Sequence, residues 1–361
     1  MSGAGSPADV GGVTDGVDGV ADVDRMTDVS GRSPVTDVDL LLVGAGPVGL
    51  YGAYYAGVRG MRVAVLDSLP EAGGQVTAMY PEKQIYDVAG FPAIRGRDLV
   101  ANLVEQAAPY DPVYLFGQEA QGLDRTGTGF TVQASSGGRI SCRAIVVTGG
   151  IGTFTPRRLP AGEEFLGRGL DYVVPRPADH AGRDVVVVGG GDSACDWALT
   201  LEPIARSVTL VHRRETFRAH EATLESLRRS TVEIVTNAQV TAAAGVGWLD
   251  SVVVSEPTAK RSLPCQGLVA ALGFTANLGP LREWGLALHD NRHVVVDSAM
   301  RTNLPGVFAA GDITDYDGKV RLISVGFGEV ATAVNNAATH VDPAAQLFPG
   351  HSSDQPVPAV A

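Results

Sequence analysis

The chain has 361 residues, enough for two domains of ordinary size, and a 45% hydrophobic content that can fill a core in each. A formal charge of −12 argues against nucleic-acid binding, which needs a basic stripe to displace phosphate counterions. Forty-five glycines against 6% aromatics favour an α/β nucleotide fold over a β-sandwich, and three cysteines far apart (Cys142, Cys195, Cys265) exclude a disulfide framework and suit a reducing cytoplasm.

Residues 1–36 carry six Asp, two Arg and no aromatic residue. They cannot bury enough to offset the cost of ordering, so a disordered acidic tail without a secretory leader is expected. Order is expected from Val38–Val43, a continuous apolar run typical of a parallel strand covered on both faces. The uncharged stretch Leu40–Val58 approaches membrane-spanning length, yet Gly44, Gly46, Pro47, Gly49, Gly52 and Gly57 interrupt it. A buried strand, turn and helix accounts for it, with no membrane segment.

That turn, Gly44-Ala45-Gly46-Pro47-Val48-Gly49, has the spacing that cradles a pyrophosphate. Gly44 permits the turn, Gly46 lets backbone approach the phosphates, and Gly49 lets the helix pack on the strand. The helix N-terminus adds N–H donors and the positive end of its dipole. Asp67 ends the next strand, 23 residues after Gly44, where a carboxylate accepts ribose hydroxyls. Phe130–Ala134 and Ala144–Thr148 read as further strands, the second closed by a turn at Gly149-Gly150.

Asp184–Val211 repeats the pattern around Gly189-Gly190-Gly191-Asp192-Ser193-Ala194. Here the residue 23 positions on is His212, followed by Arg213 and Arg214, with Arg218 a turn later. A ribose 2′-phosphate requires cations where a free hydroxyl requires an acid, so the second pocket is expected to take NADPH and the first FAD. An arginine pair at a strand end is equally what a solvated rim looks like.

Strand-like segments follow at Ser251–Ser255, Gly267–Leu272, Val294–Asp297 and Val307–Ala310. The last delivers Asp312 at a glycine turn, where its carboxylate can accept a hydroxyl of a flavin ribityl chain. A final helix is expected over roughly Gly328–His340, its N-terminus aimed at the flavin's pyrimidine edge. The fold class is α/β: two Rossmann-like nucleotide-binding domains, the second inserted in the first. The expected division is a tail over 1–36, an FAD domain of 37–150 and 271–341, an NADPH domain of 151–270 and an extension over 342–361.

On these stretches the chain resembles the thioredoxin-reductase-like ferredoxin–NADP reductases, a homodimeric family, across nearly all of 38–353. The blocks are Gly73-Gly74-Gln75, Tyr80-Pro81-Glu82-Lys83, Tyr86 to Pro92 (with Val88), Gly190 to Ala194 with Asp196-Trp197-Ala198, Phe217 to Glu221, Gly326 to Glu329, and Ala333 to Ala337. The resemblance implies FAD contacts at Gly44, Gly46, Pro47, Val48, Gly49, Asp67, Gly74, Gln75, Tyr80, Val88, Ala120, Phe154, Asp312 and Ser353. It implies NADPH contacts at Gly189, Gly191, Asp192, Ser193, Ala194, His212, Arg213, Arg214 and Arg218. Tyr80 would stack on one flavin face, and His351-Ser352-Ser353 would cover the other, in this chain or in a partner subunit. Read without the family, Tyr80 would be a core tyrosine and His351 a tail histidine.

Thioredoxin reductase needs two thiols just ahead of its NADPH motif, and Asp171–Asp184 contains no cysteine. Cys195 reads as a buried filler. His289 and His293 flank Asp290-Asn291, which reads as a turn rather than a metal site. The function implied is electron transfer between NADPH and ferredoxin, an acidic iron–sulfur protein, by a cytoplasmic homodimer. No side chain is required as acid or base. Lys83, Arg95, Arg97, Lys319 and Arg321 are candidate contacts for that partner, or an ordinary solvated face. A reductase of another acceptor (free flavin, quinone or a thioredoxin-like protein) and a non-catalytic redox sensor stay open as alternatives.

Overall fold

A computed structural model describes residues 35–174 and 176–351, with the backbone alone of Val35, 153–155 and 275–276. All but the last two residues of the expected tail, and the last ten residues of the C-terminal extension, lie outside the described residues. Val35 and Thr36, assigned to the tail, instead lengthen the first strand to Val35–Val43 and pair with Arg139 and Ile140. Among the described residues no helix is long and apolar enough to cross a membrane.

The first strand lies between Val63–Leu66 and Arg139–Val147, parallel to both. Its Leu40, Leu41 and Leu42 are fully buried, because helices cover both faces of a parallel sheet and leave no side for polar residues. Val113–Leu115 extends the sheet on one side. On the other, the strand Arg139–Val147 forks. Its first residues pair antiparallel with Phe130–Ala134, and Ile145–Val147 pair parallel with Val307–Ala309. The alternating burial over Arg139–Arg143 explains why the apolar run beginning at Ala144 under-read this strand.

Helix α1, Pro47–Val58, follows the first glycine turn with proline at its first position, where a missing N–H costs nothing. Short α2, Gln75–Met79, and α3, Gly96–Ala107, come next. Leu99, Val100 and Leu103 of α3 join Leu50 of α1 and Val76 of α2 in one buried cluster.

A second, wholly parallel sheet runs in the order Leu170–Asp171, Gly267–Ala270, Asp184–Val188, Ser207–Val211, Glu233–Val235. It carries α4, Asp192–Leu201, and α5, Glu221–Arg229. A three-stranded antiparallel sheet of Gln239–Ala244, Ser251–Ser255 and Lys260–Pro264 packs beside it. The chain passes between the two parallel sheets twice, and the passages lie side by side as an antiparallel ribbon, Thr153–Pro156 with Phe274–Asn277.

The last helix, α6, spans Ile323–Val341 and begins five residues before the expected start near Gly328. Gly326 and Gly328 lie inside it. A Cβ at Gly326 would come 2.5 Å from Val48 and 3.4 Å from Gly311 Cα, so this glycine permits close packing on the first turn and does not mark a helix end. Gly52 of α1 does the same, since a Cβ there would press on Val330 of α6 and Leu42 of the sheet.

The first turn divides its glycines by role. A Cβ at Gly49 would overlap the carbonyl oxygen of Gly44 and stand 2.8 Å from Thr148 Oγ1, whereas a Cβ at Gly46 meets nothing within 4 Å. Gly49→Ala should therefore cost at least about 3 kcal/mol in urea denaturation of the apoprotein, because rigid backbone cannot yield. Gly46→Ala should change stability by no more than about 0.5 kcal/mol.

Candidate functional site

The turn opens into a groove of about 1180 Å³, continuous with solvent, at the C-terminal ends of the first sheet's strands. Its walls are Gly44, Gly46, Pro47 and Val48 from the turn, Asp67 from the next strand end, Gly74, Gln75 and Tyr80 around α2, and Ala120, Gly311 and Asp312 opposite. These include ten of the fourteen residues expected to hold FAD. Gly49 lies beneath the turn, and Val88 is buried with Leu50 and Val76 instead of facing the groove. The Phe154 side chain and Ser353 lie outside the described residues.

Asp67 is locked in place by backbone. Its Oδ2 accepts the Ala45 N–H at 2.6 Å and its Oδ1 accepts the Leu69 N–H at 2.8 Å. Burial pushes its pKa up, and the two N–H donors oppose that shift. Each oxygen keeps a lone pair for a ribose hydroxyl. Gly74, at φ +56°, stands so close that a Cβ would come 3.0 Å from Gly46 Cα, and Gly73 N–H donates to Ala45 O at 2.8 Å. A second loop thus braces the first while leaving the α1 N-terminus bare: Gly46 has no side-chain cap.

At the far end of the groove stand Tyr80, Asp312 and Ile323. Burial raises the Tyr80 phenol, and the charges of Asp312 and Asp87 raise it further. Burial also raises Asp312, against the pull of Lys319 and Arg321. Uncapped helix N–H groups, open space above Gly46, a fixed acid beside them and an aromatic ring at the end together fit a flavin dinucleotide. Sequence reasoning missed Gln118, Thr148, Leu278, Pro280 and Leu281 along the same wall. Thr148-Gly149-Gly150 had the visible signal of a strand running into glycines. Leu278 to Leu281 had none, because they enter only after the chain has crossed the ribbon.

The second turn is built the same way and charged the opposite way. Gly191 caps α4 with open space at its Cα, and Asp192 Oδ1 accepts the His220 N–H at 2.9 Å. Arg218 N–H donates to Gly190 O at 2.7 Å, which draws the 213–218 loop over the turn. The side chains of Arg213, Arg214 and Arg218 are exposed, and among the described residues none forms an ion pair. Their neighbours do: Arg206 with Asp184, Arg228 with Glu221, Arg229 with Glu225, and Arg261 with Glu233 and Glu256.

His212 does not join them as a cation. Its ring lies against Gly190, where any Cβ would overlap it, and 4.9 Å from the Phe217 ring. Its Nε2 meets Thr216 O at 3.2 Å. Burial lowers its pKa, the contact with Thr216 O opposes this, and the charges of Arg213, Arg214 and Arg218 lower it further, so the neutral ring is favoured at pH 7.

Of the five candidate partner contacts, four stay partly exposed beside a carboxylate and one is buried. Lys83 pairs with Asp196 at 2.5 Å, Arg95 and Arg97 both pair with Glu82, and Arg321 lies 3.6 Å from Asp315. Lys319 is buried on Glu329 and offers no surface at all. His351 is exposed, edge-on to Phe348 and outside the groove lining. Asp290 and Asn291, at φ +50° and +54°, form the expected hairpin turn between His289 and His293, and no group of metal-ligating side chains occurs among the described residues. Cys142, Cys195 and Cys265 are buried, and burial pushes their thiols up to about 12, 11 and 12.

The pyridine nucleotide-disulphide oxidoreductase family model matches residues 38–337. The ferredoxin–NADP reductase of Salinispora arenicola is 63% identical over 319 residues, covering 88% of this chain and 99% of its own. That of Frankia alni is 64% identical over 316 residues, covering 87% and 98%. Among solved structures, the chain is similar to T. acidophilum thioredoxin reductase, at 27% identity and a TM-score of 0.70, covering 84% of this chain and 98% of that one. Two glycine turns that end in opposite charges, and relatives alike over almost their whole length, lead to one conclusion: the chain belongs to the pyridine nucleotide-disulphide oxidoreductase family, among its ferredoxin–NADP reductases.

Proposed function

We propose that the chain binds FAD in the first groove and NADPH at the second turn, and moves electrons between NADPH and a ferredoxin. The observation that carries this reading is the contrast between Asp67, a fixed acid, and Arg213, Arg214 and Arg218, three exposed cations without ion pairs among the described residues. When bound, FAD supplies a two-electron acceptor that releases its electrons singly, chemistry that no side chain of this protein provides.

The residues of the chain hold and orient. Backbone N–H groups at the start of α1 receive the pyrophosphate, Asp67 accepts ribose hydroxyls, and Asp312 accepts from the ribityl chain. Tyr80 presents an aromatic face, and Ile323 brings the N-terminus of α6 to the groove. At the second turn Asp192, Ser193 and Ala194 open α4 towards a pyrophosphate, and Gly189 and Gly191 give it room. The three arginines then take the 2′-phosphate by charge-assisted hydrogen bonds. Neutral His212 supports the loop from below. No proton has to pass through a side chain.

The division into an FAD part (37–150 and 271–341) and an inserted NADPH part (151–270) is supported by the two parallel sheets and the ribbon between them. A homodimer is supported by His351, which stands away from the groove of its own chain and would be free to cover a partner's. Three buried, unbridged thiols suit a cytoplasmic setting. The same thiols argue against a thioredoxin-like acceptor, since buried thiols with raised pKa values form no exchanging pair.

Two experiments test the reading. Anaerobic addition of NADPH should bleach the yellow holoprotein, and a ferredoxin added afterwards should restore the colour; a protein that takes up no FAD, or that NADPH leaves yellow, would overturn it. Arg213→Ala with Arg214→Ala should raise KM for NADPH by about 30-fold or more, from the loss of charge-assisted hydrogen bonds, and that for NADH by less than about threefold. Equal changes would remove the 2′-phosphate assignment.

A further inference from the structure

Lys319 and Glu329 are 3% and 5% exposed and 2.5 Å apart. Enclosing two full charges is costly, and an apolar pair of similar volume commonly serves stability as well or better. Their hydrogen bonds show where the pair is directed. Glu329 Oε2 accepts the Gly311 N–H at 2.7 Å, while Lys319 Nζ donates to Gly311 O at 3.0 Å and to Glu329 Oε1. Both polar groups of one glycine are therefore gripped by a single ion pair. Tyr316 OH donates to Glu329 Oε1 at 2.6 Å, and Thr314 Oγ1 donates to the same Gly311 oxygen at 2.8 Å.

Gly311 sits at φ +83°, a left-handed conformation that leaves the turn dependent on its partners. The next residue is Asp312, which lines the groove. Gly311 is fixed at the α6 end by Glu329 and at the loop end by Lys319, so the direction of Asp312 is set by the pair. We propose that Lys319 and Glu329 are positioning residues of the flavin site, clamping Gly311 so that Asp312 is held in line for its ligand. The proposal rests on the assignment of FAD to this groove.

The test measures FAD affinity of apoprotein by flavin fluorescence, with the visible absorption band of the bound flavin as a second readout. Glu329→Gln and Lys319→Met are each made in the wild-type chain and in Asp312→Ala. If the pair acts through Asp312, each single change weakens FAD about tenfold or more and shifts the band, and each loses most of that effect in the Asp312→Ala background, where coupled residues become non-additive. Unchanged affinity and spectrum would overturn the proposal. So would full additivity with Asp312→Ala, which would make the pair a support of the fold at large. Should either variant fail to fold, Tyr316→Phe removes only one hydrogen bond to Glu329 and carries the same cycle, with an expected loss of about threefold. Wild-type protein in the same titration separates the two readings: no uptake of FAD by it refutes the flavin assignment itself, whereas normal uptake with indifferent variants refutes only the clamp.

Discussion

The hydrogen bond from Ala45 N–H to Asp67 Oδ2 joins the first glycine turn to the end of the following strand, and the rest of the groove is organised about it. It fixes the carboxylate at the mouth of the turn, beside bare helix N–H groups, and does so without using the lone pairs a sugar would need. The bracing loop at Gly73-Gly74 hydrogen-bonds to the same Ala45 through its carbonyl. Acid, turn and brace therefore move as one body, and a dinucleotide meets a preformed surface.

The second turn repeats the backbone and replaces the join. Asp192 reaches forward to His220, and Arg218 reaches back to Gly190, so the loop after the strand is pulled across the phosphates' end of the helix. The arginines left outward on that loop have no carboxylate partners among the described residues, unlike Arg206, Arg228 and Arg261 nearby. The two pockets thus differ by a few side chains at equivalent strand ends on a common backbone, and on the proposed reading these would select the ligand of each. The contact between Lys83 and Asp196 ties the α2 side of the first groove to α4 of the second turn.

What could be read from the amino-acid order was whatever depends on short range. Both glycine turns, the strand ends at Asp67 and His212, the Asp290-Asn291 hairpin and the strand leading to Asp312 all announce themselves within some 25 residues of chain. Depth did not. Lys319 displays a charge in the sequence, but its partner Glu329 is on a helix that starts earlier than the sequence suggests, since Gly326 resembles a breaker unless the closeness of Val48 is known. His212 looked cationic beside two arginines, and those arginines, with burial, are what discharge it. Whether an arginine is paired is likewise a three-dimensional property, which is why Arg95 and Arg213 look alike in sequence and differ in the fold.

The burial of all three cysteine thiols carries a chemical consequence. Thiols with pKa values near 11 to 12 are thiolate in only about one part in ten thousand or less at neutral pH. Alkylating electrophiles and peroxide attack the thiolate. The three cysteines of this chain, buried and held as thiols, therefore offer such reagents little to attack.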